Sequence, residues 1–289
     1  MLHDDGLGGS QATAVASGGV RPSEFREIQS MAHDIFGLEL KTGKEALVGA
    51  RLGKRVRELG LKDISDYLGH VKQDHSGLEL AGLIDALTTN FTSFLREPVH
   101  FKLLRDRILP GLAGRQTYQI WSAGCSTGEE PYSILFETAE TLGDTKLGAM
   151  KLLATDISTR ALKAASEGIF PVARLKELPD SWRKRYFQRG TGQQEGMVRV
   201  RPEWRARVQF ERLNLMEDLS RMPRCAVIFC RNVMIYFDKP TQERLVGQFA
   251  ARLDPGGWLL IGHSEGLMGV RHDLEYVMPA VYRKPGAGR

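Results

Sequence analysis

The sequence predicts an α/β protein, a parallel sheet with helices on both faces. An all-α N-terminal domain precedes the sheet and a small antiparallel β-subdomain interrupts it. Three observations predict this. Residues 21–87 repeat apolar positions at helical spacing. From residue 115 short apolar strands alternate with helices, the order that builds a parallel sheet. Within that alternation, residues 187–212 switch to a two-residue period with glycine turns.

Residues 1–20 are rich in Gly, Ala and Ser without periodicity and read as a disordered tail. Pro22-Ser23 opens a helix that runs through Ile28, Met31, Ile35 and Phe36 and stops at Gly37. The segment 44–59 aligns Val48, Leu52, Val56 and Leu59 on one stripe. Arg51, Lys54, Arg55 and Lys62 fall on an adjoining stripe. A solvated helix face is the plainer reading of that stripe; a docking face for an acidic protein surface is the functional one. Residues 64–73 and 78–87 are two further amphipathic helices. Residues 88–114 form a linker, and its start, Thr88 to Pro98, is dense enough in hydroxyl, amide and aromatic groups to be a cleft wall.

Residues 115–289 carry the sheet. Strands are expected at Tyr118–Ser122, Leu152–Thr155, Ala226–Cys230 and 258–262, with a last one at Tyr276–Arg283. Helices are expected at Pro131–Leu142, 158–166 and 240–253, and a turn at Asp254-Pro255-Gly256-Gly257. In 187–212, Val198 and Val200 alternate with Arg199 and Arg201, and Val208 and Phe210 with Arg207 and Gln209. This predicts the antiparallel insertion.

Composition narrows the function classes. The longest apolar runs are strand-sized, whereas a membrane helix needs about 20 residues. Asp4 and Asp5 stand where a signal peptide would carry positive charge. Cys125, Cys225 and Cys230 give no disulfide framework, and no C-x-x-C or His cluster offers a metal site. A reducing cytoplasm follows. Lys+Arg 40 against Asp+Glu 35 gives a net charge of +5, which permits an acidic partner without demanding nucleic acid.

The chemistry sits at the strand ends. After the first strand comes Gly124-Cys125-Ser126-Thr127-Gly128-Glu129-Glu130, a glycine turn leading into a helix. Such a turn lets the backbone approach a ligand. Its two acids would repel a diphosphate and suit a ligand with an ammonium or sulfonium group. The second strand ends in Asp156, the position that accepts hydrogen bonds from ribose hydroxyls, or alternatively caps the next helix. An adenosine without a diphosphate, beside two acids, points to S-adenosylmethionine. The third strand runs out into Arg231-Asn232 at its carboxyl end, where open sheets bind ligands. Cys230 beside them reads as core rather than nucleophile.

These segments resemble the CheR family, the chemotaxis receptor glutamate methyltransferases, over about residues 22–284. The carrying strings are TTNFTSFLRE (88–97), WSAGCSTGEEPYSI (121–134), ATDIS (154–158), EGIFP (167–171), RYFQRGTG (185–192), EGMVRVR (195–201), NL (214–215), IFCRNVMIYFD (228–238) and PGGWLLIGHSE (255–265). Departures are mild: Phe91, Leu95 and the Gly124-Cys125 pair vary in the family. The resemblance implies a Rossmann-like class I methyltransferase domain that transfers methyl from S-adenosylmethionine to receptor glutamates, leaving S-adenosylhomocysteine. It implies cofactor contacts at Asn90, Thr92, Arg96, Glu130, Asp156, Asn214, Leu215, Arg231 and Asn232. Arg96 and Tyr236 match the substrate-side positions. It also implies chemoreceptor helices as partners, with no nucleic acid, no membrane insertion and a monomeric chain. Some members grip a receptor C-terminal peptide with the β-subdomain. Here Arg189, Gly190, Gly192 and Arg199 would meet it.

A glutamate is ionised at neutral pH, its ordinary pKa being about 4.3, so no general base is required. The runner-up function is methylation of RNA or a small molecule, against which stands RNVMIYF after the third strand in place of an Asn/Asp-Pro-Pro-aromatic segment. A third reading is a receptor-binding module without activity.

Overall fold

The computed structural model describes residues 19–88 and 91–286 of the 289-residue chain. Four helices come first: α1 (Pro22–Phe36), α2 (Glu45–Glu58), α3 (Ile64–Gln73) and α4 (Leu78–Leu87). Of the stripe positions read on the first two helices, Ile28, Phe36, Val48, Leu52 and Val56 are buried, while Met31, Ile35 and Leu59 are partly buried against the same core. Phe25, Ile28, Ala32 and Phe36 of α1 meet Val48, Leu52 and Val56 of α2 in one core with Tyr67, Leu68, Leu83 and Ile84. Gly37 stops α1 in the left-handed conformation (φ 70°), which only glycine adopts at no cost. Val20 is buried in this core against Gly49, so the packed chain begins inside the stretch read as tail. Residues 1–18 of that tail reading lie outside the described residues.

A helical stretch follows, α5 (Pro98–Leu103) and α6 (Leu109–Leu112) joined by a π-helical turn over Leu104–Ile108. The sheet region comprises β1 (Tyr118–Ala123), α7 (Glu129–Leu142), α8 (Asp144–Leu147), β2 (Met150–Asp156), α9 (Thr159–Glu167), β3 (Ile169–Pro171), α10 (Asp180–Tyr186), β4 (Phe187–Arg189), β5 (Met197–Val200), α11 (Pro202–Arg205), β6 (Val208–Arg212), β7 (Cys225–Cys230), α12 (Lys239–Arg252), β8 (Leu253–Ile261), β9 (Glu275–Met278) and β10 (Val281–Arg283). The main sheet has the order β6-β2-β1-β7-β8-β10-β9. Its first five strands are parallel, and apolar cores cover both faces. Chain order reverses between β1 and β7, the switch point where such sheets bind ligands.

Three expectations are corrected. Tyr276–Arg283 is a hairpin of two strands antiparallel to each other, and its second strand, β10, pairs antiparallel with β8, so the sheet is mixed. Ala280 at φ 63° makes its turn. The turn expected at 254–257 lies within β8, where the register against β7 shifts. Most consequentially, Val208–Arg212 is not part of the insertion. It pairs in parallel with β2 at the edge of the main sheet. The small sheet is instead β3-β5-β4, with Ile169–Pro171 as its third strand. Alternation identifies a half-buried strand, but it carries no information about the partner strand.

No helix among the described residues is long and apolar enough to cross a membrane. The three cysteines are free and buried. Burial pushes the Cys225 thiol up to about 12 and raises those of Cys125 and Cys230 as well, so all three remain protonated core groups.

Candidate active site

A cavity opens at the carboxyl ends of β1, β2 and β7. Among its lining residues are Thr92, Arg96, Glu130, Asp156, Asn214, Leu215, Arg231, Asn232 and Tyr236. Nine positions spread from 92 to 236 thus meet in one place. Asn90 lies outside the described residues. The helical domain closes one wall with Phe36, Leu38 and Ile84, which the sequence did not mark as site residues, and Thr88, the start of the segment expected as a cleft wall, continues it. Two backbone contacts fasten that wall: Leu38 bridges Phe237, and Glu39 N–H donates to the Tyr236 carbonyl at 2.7 Å.

The glycine turn is shaped by close approach. A Cβ on Gly124 (φ 83°) would lie 2.4 Å from Val233, and one on Gly128 (φ 98°) 2.9 Å from Ala165. Ser126 between them donates its N–H to Asp156 Oδ2 at 2.8 Å. Asp156 Oδ1 accepts from Ser158 N at 2.9 Å. The capping of α9 falls to Ser158, whose hydroxyl accepts from Ala161 N. The Ile157 amide is a third donor, so the carboxylate, with about four acceptor sites, keeps capacity for a ligand hydroxyl. Burial pushes its carboxyl up, and the Ser158 and Ser126 amides oppose that.

The two acids of the turn separate. Glu130 faces the cavity, while Glu129 is buried away from it on Thr127 Oγ1 and near Arg174. A single acid of the pair therefore faces a ligand. Glu130 accepts from Ser122 Oγ at 2.7 Å and from Arg231 Nη1 at 3.0 Å. Arg231, buried, also donates to Glu97 Oε2 from Nη2 at 3.0 Å and to the Arg96 carbonyl, and lies over the Phe101 ring at 5.7 Å. Arg231 thus braces the wall, its guanidinium engaged by protein groups. Burial works against ionising Glu97, but Arg231 and the His263 amide outweigh it and hold its carboxyl below the usual range. Burial pushes the Glu130 carboxyl up, with Arg231 opposing.

Asn214 is similarly committed. Its Nδ2 donates to the Ile35 carbonyl at 2.7 Å and its Oδ1 accepts from Met216 N, tying α1 to the sheet domain. Arg96 donates from Nη1 to the Phe91 carbonyl. Among the described residues, five non-glycines have positive φ, and four of them stand around this cavity: Leu95, Glu97, Ser126 and Asn232. Strain of about 1–3 kcal/mol per residue persists where the surroundings over-determine it, typically at functional sites.

His100 is fully buried beside the site, with neither ring nitrogen hydrogen-bonded. Burial, then Arg231, pushes its pKa down to about 3, so it is neutral. Glu97, His100 and His263 bring potential ligand atoms within 4.8 Å of one another, a cluster the sequence reading did not see. Glu97 is already spent on Arg231, whose charge opposes a cation there.

The basic stripe splits in two. Arg51 donates to the Leu87 carbonyl at 2.7 Å, and Arg55 binds Glu79 and Glu58. Lys54 is exposed, 3.8 Å from Glu58, and Lys62 is exposed with no partner among the described residues. A second, open groove runs beside the cavity. Arg51, Lys54, Arg55 and Arg160 line it, and it shares Thr88 and Phe91 with the cavity.

In the β-subdomain, Gly190 serves its own loop. A Cβ there would lie 2.1 Å from the Gln194 carbonyl oxygen, so the space is not left for a partner. Gly192 (φ 58°) faces open space. Arg199 donates to the Glu167 carbonyl, whereas exposed Arg189 has no partner among the described residues.

Comparisons with known proteins agree across the chain. The all-alpha domain of CheR methyltransferases matches residues 23–88, and their SAM binding domain matches 90–282. A chemotaxis protein methyltransferase of Klebsiella aerogenes is 42% identical over 90% of this chain and 89% of its own. Chemotaxis protein methyltransferase 2 of Pseudomonas aeruginosa is 41% identical over 90% and 92%. The Escherichia coli chemotaxis protein methyltransferase is 44% identical over 84% of each chain.

Proposed function

The chain belongs to the CheR methyltransferase family and is an S-adenosylmethionine-dependent methyltransferase, and from that premise we propose that it esterifies glutamate side chains of chemoreceptors. The observation that carries the reading is the single cavity at the sheet's switch point, where the glycine turn, Asp156, Asn232 and Tyr236 converge. The residues present fit the cofactor. Asp156 keeps acceptor capacity for a ribose hydroxyl, and Glu130 and Asp156 supply the negative charge a sulfonium or ammonium favours. Leu213, Leu215, Val233 and Ile157 give apolar surface for an adenine. The bound cofactor supplies an activated methyl group.

The protein's part is alignment. The substrate carboxylate is already nucleophilic at neutral pH. Arg96 and Tyr236 stand at the cavity lining to hold it, Arg96 by charge-assisted hydrogen bonds. Arg231 and Glu97 keep that wall in place from behind. Correct positioning supplies up to roughly 7–11 kcal/mol of barrier reduction.

We assign residues 21–87 to substrate docking and residues 115–289 to chemistry, with 88–114 forming the wall between. The groove shared with the cavity through Thr88 and Phe91 suits an acidic receptor helix, with exposed Lys54 on its lining and exposed Lys62 on the same helical domain outside it. In the β-subdomain both outer strands are edges, but β3 ends in Pro171, which cannot donate to a ladder. A receptor C-terminal peptide would therefore add to β4, near Arg189. Such a tether raises the local receptor concentration toward the millimolar range. Because any side chain at Gly192 is strained by its φ, the cleaner test is Arg189→Glu against a titrated acidic receptor tail peptide. The receptor assignment places the enzyme at receptor arrays, on their cytoplasmic side.

Incubation with methyl-labelled S-adenosylmethionine and receptor-bearing membranes tests the reading. Base-labile, methanol-releasing label on the receptor supports it. Base-stable label, or label on RNA alone, overturns it.

A further inference from the structure

The string GHSE at 262–265 lies outside the cavity lining, yet it touches two of the segments that form it, at Glu97 and at residues 232–235. Gly262 is pressed so closely that a Cβ would lie 2.5 Å from Asn232 Nδ2 and 2.8 Å from Glu265 Oε2. His263 N–H donates to Glu97 Oε1 at 3.1 Å, on the carboxylate that holds Arg231. Glu265 carries the most. Its Oε2 accepts from Asn232 N at 2.9 Å and from Gly262 N, and its Oε1 accepts from Ile235 N at 3.1 Å. The Met234 amide adds to the set. One carboxylate therefore spans the segment from Asn232 to Ile235, directly before Tyr236. Asn232 sits at φ 60°, in the left-handed region that few residues besides glycine and asparagine adopt.

We infer that Glu265 is a positioning residue for methyl transfer: its carboxylate sets the separation between cofactor-side Asn232 and substrate-side Tyr236. The inference rests on the proposed roles of those two residues. A rigid side chain one layer behind the reacting groups holds them to within about 0.5 Å of the productive geometry. Misplacement of about 1 Å costs on the order of a hundredfold in rate. A glutamine here keeps the shape but turns one acceptor oxygen into a donor. Either the Asn232 amide or the Ile235 amide then loses its partner, and the two sides drift apart.

The experiment is a double-mutant cycle of Glu265→Gln and Tyr236→Phe, with thermal unfolding checked for each protein and methylation of receptor membranes as the assay. Alone, Glu265→Gln should lower kcat roughly a hundredfold. KM for receptor should stay within a few-fold, and binding of S-adenosylhomocysteine should weaken by less than about tenfold. In the Tyr236→Phe background the same change should cost only a few-fold, because the group it positions is already gone. A folded Glu265→Gln enzyme with normal kcat overturns the inference. So does a full, additive loss in the second background, which would show that Glu265 acts elsewhere. If Glu265→Gln does not fold, Glu265→Asp, which keeps the charge and withdraws it by one methylene, runs the same cycle under the same criteria. Loss of activity in Tyr236→Phe alone tests the underlying role separately: if that variant is fully active, the substrate-side assignment fails first and the coupling vanishes with it.

Discussion

Two arginines in this protein each bridge two glutamates, and their settings differ. Arg231 joins Glu97 and Glu130 with its side chain 2% exposed. Arg55 joins Glu79 and Glu58 at 30% exposure. The chemistry is the same and the consequence is opposite. Around Arg231 water cannot replace a lost partner, so the triad is compulsory once built. Around half-buried Arg55 water reaches the guanidinium and exposed Glu58, so a lost partner is largely replaced and the Glu58 pair contributes little. The buried triad fixes the wall of the proposed cofactor cavity; the half-buried one lies in the groove proposed for the receptor, where its groups can exchange partners.

The widest gap between the two triads should appear on removing the arginine. Arg231→Met leaves Glu97 and Glu130 without their cation and should cost about 3–5 kcal/mol of stability, read by denaturant unfolding, with cofactor binding lost alongside. A variant as stable as the parent would mean the triad is not a structural brace.

Histidines extend the contrast to pH. His100 stays neutral down to about pH 3 because it is buried and near Arg231. Below about 6.5 the unfolded chain takes up a proton that the folded one refuses, so stability falls with pH across that window, by roughly 1.4 kcal/mol per unit. Exposed His33, hydrogen-bonded to Asp34 and Asp238, has its pKa raised. Its contribution has the opposite sign, present below its ordinary value and lost as pH rises through the raised one. Unfolding curves from pH 7 to 4 should slope less for His100→Phe than for the parent; parallel slopes would refute the buried neutral state.

On the cavity's ligand side, Asp156→Ala removes an acceptor from ribose hydroxyls. Hydrogen bonds to charged groups contribute about 1.5–3 kcal/mol, so S-adenosylhomocysteine should bind roughly ten- to a hundredfold more weakly by calorimetry. Unchanged affinity in folded protein would remove Asp156 from the site.

Smaller still, Arg55→Ala should change stability by no more than about 1 kcal/mol. Reversing Lys54 and Lys62 together should leave cofactor affinity alone and slow receptor methylation several-fold, more at low salt than at high. If methylation is indifferent at every ionic strength, the stripe is simply solvated.

Much of the architecture was legible in the residues. The α1 and α2 stripes, the Gly37 stop, the glycine turn and the buried strand before Arg231 all follow from local rules of period, capping and turn chemistry. What those rules miss is partnership. Val208 and Phe210 alternate as a strand must, but nothing local says that they join β2 rather than Val198 and Val200. Glu129 and Glu130 are neighbours in sequence, yet only one reaches the cavity, because one residue along a helix is about 100° around it. No local rule of period or capping assigns a role to Glu97, His100 or Glu265, though Glu97 and Glu265 close two of the strings that carry the resemblance; their roles arise from groups up to 166 residues away.

The sequence by itself determined the elements, their order and the class of chemistry, because propensity, periodicity and loop composition act over a few residues. Only the tertiary structure decided which carboxylates are paired, which arginines are spent on the protein and which remain for a partner. Those outcomes depend on burial and on distances between segments remote in the chain. In low dielectric a few ångströms separate a brace from a binding group.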